Sequence, residues 1–220
     1  MTQTRDRREL GDDMDNAHDD GSEERDRGVH RPALSQDCWT RRHVLGQNAH
    51  VRYLTIVRHA KAEKAAPGQS DFERTLSDRG RRQCEQLKKW ASDAGELGLY
   101  GPAIALVSSA VRTRETFELA LAGTPLVSDV VFSELIYNGR RDVSGEDLLL
   151  DIAAIDPVTT SLLVVGHNPT VLELVWTLVK KLPVSLRDGF PTGGAYVLSI
   201  PDGQQIGLSH YDFVSAYVPG

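Results

Sequence analysis

Two histidines and two arginines in this chain stand at or just beyond the ends of apolar runs. Arg58-His59 closes the run Tyr53-Leu-Thr-Ile-Val57, and His167 follows Ser161-Leu-Leu-Val-Val-Gly166. Short continuous apolar runs of this kind mark strands covered on both faces. Two such strands carrying imidazoles to one edge of a sheet make a site, and an arginine beside the first histidine makes its ligand an anion. Arg42-His43 is the same dipeptide in polar surroundings with no apolar run before it, so it is the preceding strand that carries the signal. A third segment, Ser108-Ser109-Ala110-Val111-Arg112, leaves the run Ala103–Val107 and enters a helix, so Arg112 starts from the same edge. Guanidinium forks match tetrahedral oxyanions in shape and charge, and helix N-termini add backbone N–H donors. A neutral imidazole nitrogen is nucleophilic, and an ordinary histidine pKa of about 6.5 leaves much of it neutral at pH 7. The arginines would repel a cation, which argues against a metal held by His59 and His167. No Gly-x-Gly-x-x-Gly follows the first strand, which argues against a dinucleotide cofactor.

The elements that position these groups alternate along the chain. Tyr53–Val57 reads as a strand. Ser77 caps a helix from Asp78 to about Ala94, whose inner face carries Cys84, Leu87, Ala91 and Ala94. Ala103–Val107 is the next strand, followed by a helix from about Ala110 to Ala122 that Gly123 ends. Its inner face holds Thr113, Thr116, Phe117, Ala120 and Leu121. Pro125–Val131 reads as a short strand. Ser144 and Asp147 give a capping-box start to a helix running to about Ile155. Leu162–Val165 is a buried strand. Asn168 as N-cap and Pro169 at the first helical position open a helix to about Lys181. Ala195–Ile200 and Gln205–His210 read as a hairpin, with His210 in a structural role on the last strand. The expected fold is therefore α/β: a three-layer α/β/α arrangement with a mainly parallel central sheet and an antiparallel edge strand. The ligand in such sheets sits outside the carboxyl ends of the strands.

Composition sets the outer bounds. The chain has 220 residues, a formal net charge of −6 and two cysteines. That charge argues against a general nucleic-acid binder, and no apolar run is long enough to span a membrane. Cys38 and Cys84 read as free thiols of a cytoplasmic protein. Residues 1–50 are dominated by Asp, Glu and Arg and have little apolar surface to bury. They are expected to form a disordered charged extension, with the catalytic domain spanning 51–220.

From about residue 51 to 213 the chain resembles the histidine phosphatase superfamily, the phosphoglycerate mutase-like group. Arg58-His59-Ala60 is similar to the family's Arg-His-Gly signature, with alanine replacing glycine and a methyl group expected close to the phosphate. Ser108 to Thr116 resembles the Ser-Pro-x-x-Arg-Ala-x-Gln-Thr block, departing at Ser109, Thr113 and Glu115. Gly166-His167-Asn168-Pro169 resembles the second-histidine motif. Within the family the chain is most similar to SixA-type phosphohistidine phosphatases. Arg74-Thr-Leu-Ser-Asp-Arg-Gly80 looks like their Arg-Pro-Leu-Thr-x-x-Gly segment, and Glu134-Leu-Ile-Tyr-Asn-Gly139 like the stretch after their third strand. The short connection from Glu134 to Gly166 implies a phosphoglycerate mutase-like fold without a large lid insertion. Such a site is open enough for a phosphate presented on a protein.

The resemblance implies that His59 is the nucleophile and forms a phosphohistidine that water cleaves. Arg58, Arg112 and His167 would hold the equatorial oxygens. Glu134 would protonate a leaving oxygen where the substrate needs it. Arg74, Ser108 and Asn168 complete the expected substrate-binding set, Arg74 being otherwise an ion-pair partner. No metal or cofactor is expected. The implied activity is that of a phosphatase, with a phosphorylated protein or a small phosphorylated molecule as partner and no nucleic acid or membrane. Alternatives are a small-molecule phosphomonoesterase or pyrophosphatase on the same scaffold and, in another class, a non-catalytic phosphate-binding or scaffolding module. The mark of such a module would be a lost histidine or arginine, and none is missing.

Overall fold

The computed structural model describes residues 51–220 apart from 98, 138–142, 156–160, 182, 202 and 208. The charged extension read over residues 1–50 lies outside the described residues. Strand formation follows the apolar runs. In β1 (Val51–Arg58) the side chains alternate: Leu54 and Ile56 enter one core cluster and Val57 the other. The same split occurs in β2 (Ala103–Ser108), where Leu106 faces one way and Ala105 and Val107 the other, and in β4 (Ser161–Gly166), where Leu162 and Val164 oppose Leu163 and Val165. Both faces of these strands are buried, which is why they read as unbroken apolar runs and not as alternating ones.

Among the described residues four α-helices cover the two faces. α1 (Asp78–Glu96) and α2 (Val111–Ala120) supply Cys84, Leu87, Ala91, Phe117 and Ala120 to one cluster. α3 (Gly145–Ile155) and α4 (Thr170–Leu178) supply Leu148, Ile152, Val171, Leu174 and Val175 to the other. With β3 (Val127–Ser133), β5 (Ala195–Pro201) and β6 (Asp212–Tyr217), the sheet runs β3-β2-β4-β1-β5-β6. The first four strands in that order are mutually parallel, β5 is antiparallel to β1, and β6 is antiparallel to β5. This is the expected three-layer α/β fold. The strand that reverses direction, β5, lies inside the sheet, and the edge strand β6 pairs antiparallel to it.

Local signals placed most helix ends. The Ser77 side chain accepts from the Gly80 N–H, 3.2 Å away, at the start of α1. A side chain at Gly80 would put its Cβ 2.0 Å from the Lys61 carbonyl oxygen, so only glycine lets the helix lie on that segment. The capping box forms at α3: the Ser144 N–H donates to Asp147 Oδ2 and the Asp147 N–H to Ser144 Oγ. At α4 the start falls later than the sequence suggests. Pro169 is the cap, and the Asn168 side chain turns to the Phe190 carbonyl (3.4 Å) instead of capping. That helix stops at Leu178 because Val179 is extended and bridges to Tyr211. β3 runs from Val127, later than the expected Pro125.

The last strand is also displaced. It is Asp212–Tyr217, paired from Ser199↔Asp212 to Ala195↔Tyr217, and not Gln205–His210. The intervening loop is held by the Tyr211 hydroxyl, which donates to the Gln205 carbonyl and accepts from the Gly207 N–H, both at 3.0 Å. Ile206 is buried in the core beneath it, while His210 is exposed in the loop. Between Glu134 and Gly166 the described residues form α3 and β4, and α3 packs in the layer with α4. No helix among the described residues is long and apolar enough to cross a membrane.

Candidate active site

Strands β1, β4 and β2 are adjacent and parallel, so their C-terminal ends share one edge. Arg58 pairs with Gly166 and Val107 with Val165. His59 and His167 each follow their strand by one residue, and Arg112 sits in the first turn of α2. This brings the two imidazole rings to 5.1 Å between centroids. Arg112 Nε lies 3.4 Å from His59 Nε2.

The loop carrying His59 is fixed from several sides. Its N–H donates to the Gly166 carbonyl at 3.0 Å. Gly193, at φ +72, donates its N–H to the carbonyls of both Arg58 and His59. The Ala60 N–H donates to Thr116 Oγ1, whose own proton goes to the Arg112 carbonyl. Gln83 accepts from the Lys61 N–H and donates to Thr192 Oγ1. His59 Nδ1 is 2.7 Å from the Ala60 carbonyl oxygen. A carbonyl cannot donate, so the proton is on Nδ1 and the lone pair on Nε2. His167 Nε2 is 2.8 Å from the Ser108 hydroxyl, and His167 Nδ1 is buried with no hydrogen-bond partner among the described residues.

Both rings are neutral at pH 7. Burial pulls the His59 pKa down to about 3, and the charges of Arg112, Arg58 and Arg74 add to this against the opposing effect of the Ala60 carbonyl. Burial, with His59 and Arg112 next, lowers His167 to about 2. A neutral His59 with its lone pair on Nε2 is in the form required of a nucleophile.

These groups line a cavity of about 320 Å³. Arg58, His59, Arg112, His167, Arg74 and Asn168, all singled out in the sequence, contribute to its wall. Arg58 Nη1 is anchored on the Phe190 carbonyl at 2.6 Å. Ser108 is fully buried behind His167 and does not line the cavity; what it touches is the imidazole. Glu134 lies exposed in the turn after β3 and is not part of the wall. The Ala60 methyl, expected near the phosphate, is packed instead in the core with Val57 and Leu76.

Asp71 and Thr192 also line the cavity, and sequence reasoning missed both. Asp71 opens a single 3-10 turn, Asp71–Glu73, three residues before Arg74. Its Oδ2 accepts from Arg112 Nη2 (2.8 Å) and the Tyr137 hydroxyl (3.0 Å), its Oδ1 from Arg74 Nη1 (2.6 Å), and its carbonyl from Arg112 Nη1 (2.6 Å). Burial alone would raise its pKa, but the Arg74 hydrogen bond, the Arg112 charge and the Tyr137 bond outweigh it and hold the carboxyl at about 2. The signal available was the Ser70-x-x-Glu73 spacing of a capped turn just ahead of the arginine. For Thr192 it was the Gly193-Gly194 pair after it.

The fold and this edge together define an α/β protein in which two imidazoles and three guanidinium groups gather around one cavity. The chain matches the family model of the histidine phosphatase superfamily (branch 1) over residues 54–142. It is similar to a solved structure assigned as the phosphohistidine phosphatase SixA of Agrobacterium tumefaciens, with 31% identity and a TM-score of 0.61, covering 76% of this chain and 98% of that one. It is also similar to one assigned as SixA of Nakamurella multipartitia, at 25% identity and a TM-score of 0.60 over 78% and 98% of the two chains. An uncharacterized protein of Mycobacterium tuberculosis is 31% identical over 66% of this chain and 87% of its own length. The chain belongs to the histidine phosphatase superfamily, branch 1, and within it to the SixA type. It is a phosphatase.

Proposed function

We propose that this phosphatase removes phosphate from phosphohistidine in a protein, through a phosphorylated His59 and without a metal. The observation that carries the choice of substrate is the state of Asp71. It is the one carboxyl among the described residues lining the cavity, and it is held ionised with both oxygens occupied. Neutral His167 offers no titratable acid at pH 7 either. An alcohol leaving from a phosphomonoester needs a proton from such an acid. A phosphorylated imidazole protonated on its other nitrogen needs none, because it leaves as neutral imidazole.

In this reading His59 Nε2 attacks phosphorus, forming one N–P bond as the substrate's N–P bond breaks. Arg58 and Arg112 hold the equatorial oxygens, and His167 donates to them from the otherwise unpartnered Nδ1, with the Ser108 hydroxyl donating to its Nε2. Charge growing on those oxygens is met by fixed donors, and the guanidinium groups take the place a cation would have. Water then attacks the phosphorylated His59, releasing phosphate and restoring the Nε2 lone pair. Arg74 and Asn168 contact the incoming group at the mouth. Glu134 has no step for this substrate. Among the described residues the connection from β3 to β4 carries α3 alone, which supports a mouth open to a protein surface. Residence in the cytoplasm belongs to the same reading and is supported by the free thiol of Cys84.

Turnover of a phosphohistidine protein should exceed that of sugar phosphates, nucleotides and an aryl phosphate, and Glu134→Gln should not slow it. Brief exposure to labelled substrate, quenched in alkaline denaturant where the N–P bond survives, should place label on His59. Label retained in His59→Ala would remove the nucleophile from this scheme. Preference for a sugar or nucleotide phosphate would favour the small-molecule phosphomonoesterase.

A further inference from the structure

We infer that Asp71 is a positioning residue, which occupies the outer edge of the Arg112 guanidinium and thereby holds the inner edge on His59 Nε2. The inference rests on the reading of Arg112 as the phosphate clamp and adds the device that aims it. Arg112 has five N–H donors in a planar fork. Asp71 takes one from Nη1 through its backbone carbonyl and one from Nη2 through Oδ2. Nε–H points at His59 Nε2, where the phosphorus must arrive. Nε–H and the one free Nη–H beside it form the second fork, on the His59 side, ready for two phosphate oxygens.

The aiming element is itself tied down. The Asp71 carboxylate also accepts from Arg74 and Tyr137. Its turn is closed by Ser70, whose hydroxyl and N–H both donate to Glu73 Oε2. Phe72 packs edge-on against Tyr137 at 5.0 Å, and Tyr137 packs the same way against His167 at 5.6 Å. One contact to Arg112 is the Asp71 backbone carbonyl, whose position the closed turn fixes. Asp71 also cancels a positive charge at the mouth, so it does not serve to attract phosphate. Its contribution is geometric, and displacement of a catalytic group by about 1 Å can cost on the order of a hundredfold in rate.

Geometry and charge separate by substitution. Asp71→Asn keeps an oxygen acceptor for Arg112 and removes the charge. Asp71→Glu keeps the charge and shifts the acceptor by a methylene. If Asp71 aims Arg112, Asp71→Glu and Asp71→Ala should lose roughly ten- to a hundredfold in kcat with KM little changed. Asp71→Asn should retain most of it. The double variant Asp71→Ala/Arg112→Ala should be no slower than Arg112→Ala, because Asp71 then has nothing to aim. Vanadate affinity should follow the same order, with melting curves confirming each fold. Native kcat in both Asp71→Ala and Asp71→Glu beside an impaired Arg112→Ala would overturn the inference while sparing the clamp. Losses that multiply in the double variant would overturn it as well. Near-native Arg112→Ala would remove the clamp, and this role with it.

Discussion

At the scale of the residue, the proposed chemistry rests on the fork of Arg112 and the neutrality of the two histidines. Lysine at 112 would keep the charge and lose the planar fork. Arg112→Lys should fold normally and lose much of its turnover, and Arg112→Ala should lose more, on the order of 3 kcal/mol or about a hundredfold. Steady-state kinetics on a phosphorylated substrate checks the order. The histidines make a pH statement of definite sign. Their folded pKa values, about 3 for His59 and about 2 for His167, lie below the unfolded value of about 6.5. Below pH 6.5 the unfolded chain takes up protons that the folded chain refuses. Stability should therefore fall as pH drops from about 6.5 toward 3, each ring contributing at most about 1.4 kcal/mol per pH unit. Urea midpoints at pH 7 and 5 measure it, and His167→Asn should weaken the dependence. An NMR titration placing either ring near pH 6.5 would contradict it. His59, Arg58, Arg112 and His167 were legible in the sequence because each lies at or shortly after a strand end within a recognisable motif. Asp71 was not, because it lies in a lone turn and meets Arg112 from 41 positions away. Ser108 was legible as a member of the site but not as a support for His167, since sequence spacing does not tell which way a strand-end hydroxyl faces.

At the scale of the element, the site depends on how closely α1 lies on the loop after His59. Alanine has the higher helix propensity, by about 1 kcal/mol over glycine. At Gly80 that gain should be overwhelmed, because the new Cβ would fall 2.0 Å from a backbone oxygen that cannot swing away. Gly80→Ala should lower the melting temperature and, by pushing the Lys61 segment, slow turnover too. A rise in melting temperature would mean that the loop yields freely. The sequence located most elements because their apolar faces repeat at helical or strand spacing. It failed at β6, where Ile206 and its neighbours look like a strand but pack as a loop. There the Tyr211 hydroxyl is hydrogen-bonded to two backbone groups of that loop, and the pairing strand begins only after it, at Asp212. It also missed the start of α4, since Asn168 found a tertiary acceptor at Phe190 in place of its helix.

At the scale of the whole molecule, the order β3-β2-β4-β1-β5-β6 puts β1, the first strand of the described chain, between two partners that come much later. The Tyr53 N–H finds its Ser161 acceptor 108 positions downstream. A ribosome must therefore release most of the domain before β1 has a neighbour on either side. Until then an apolar ribbon, Leu54-Thr-Ile-Val57, has both edges unpaired, the state in which chains stick to one another. Pairing across such distances is slow. Chains stalled before residue 161 should bind a trigger-type chaperone and resist release, whereas chains extended past Tyr217 should not. In refolding from urea, activity should return in one late step together with protection of the β1 amides, because closing the middle of the sheet and assembling the phosphate edge are the same event.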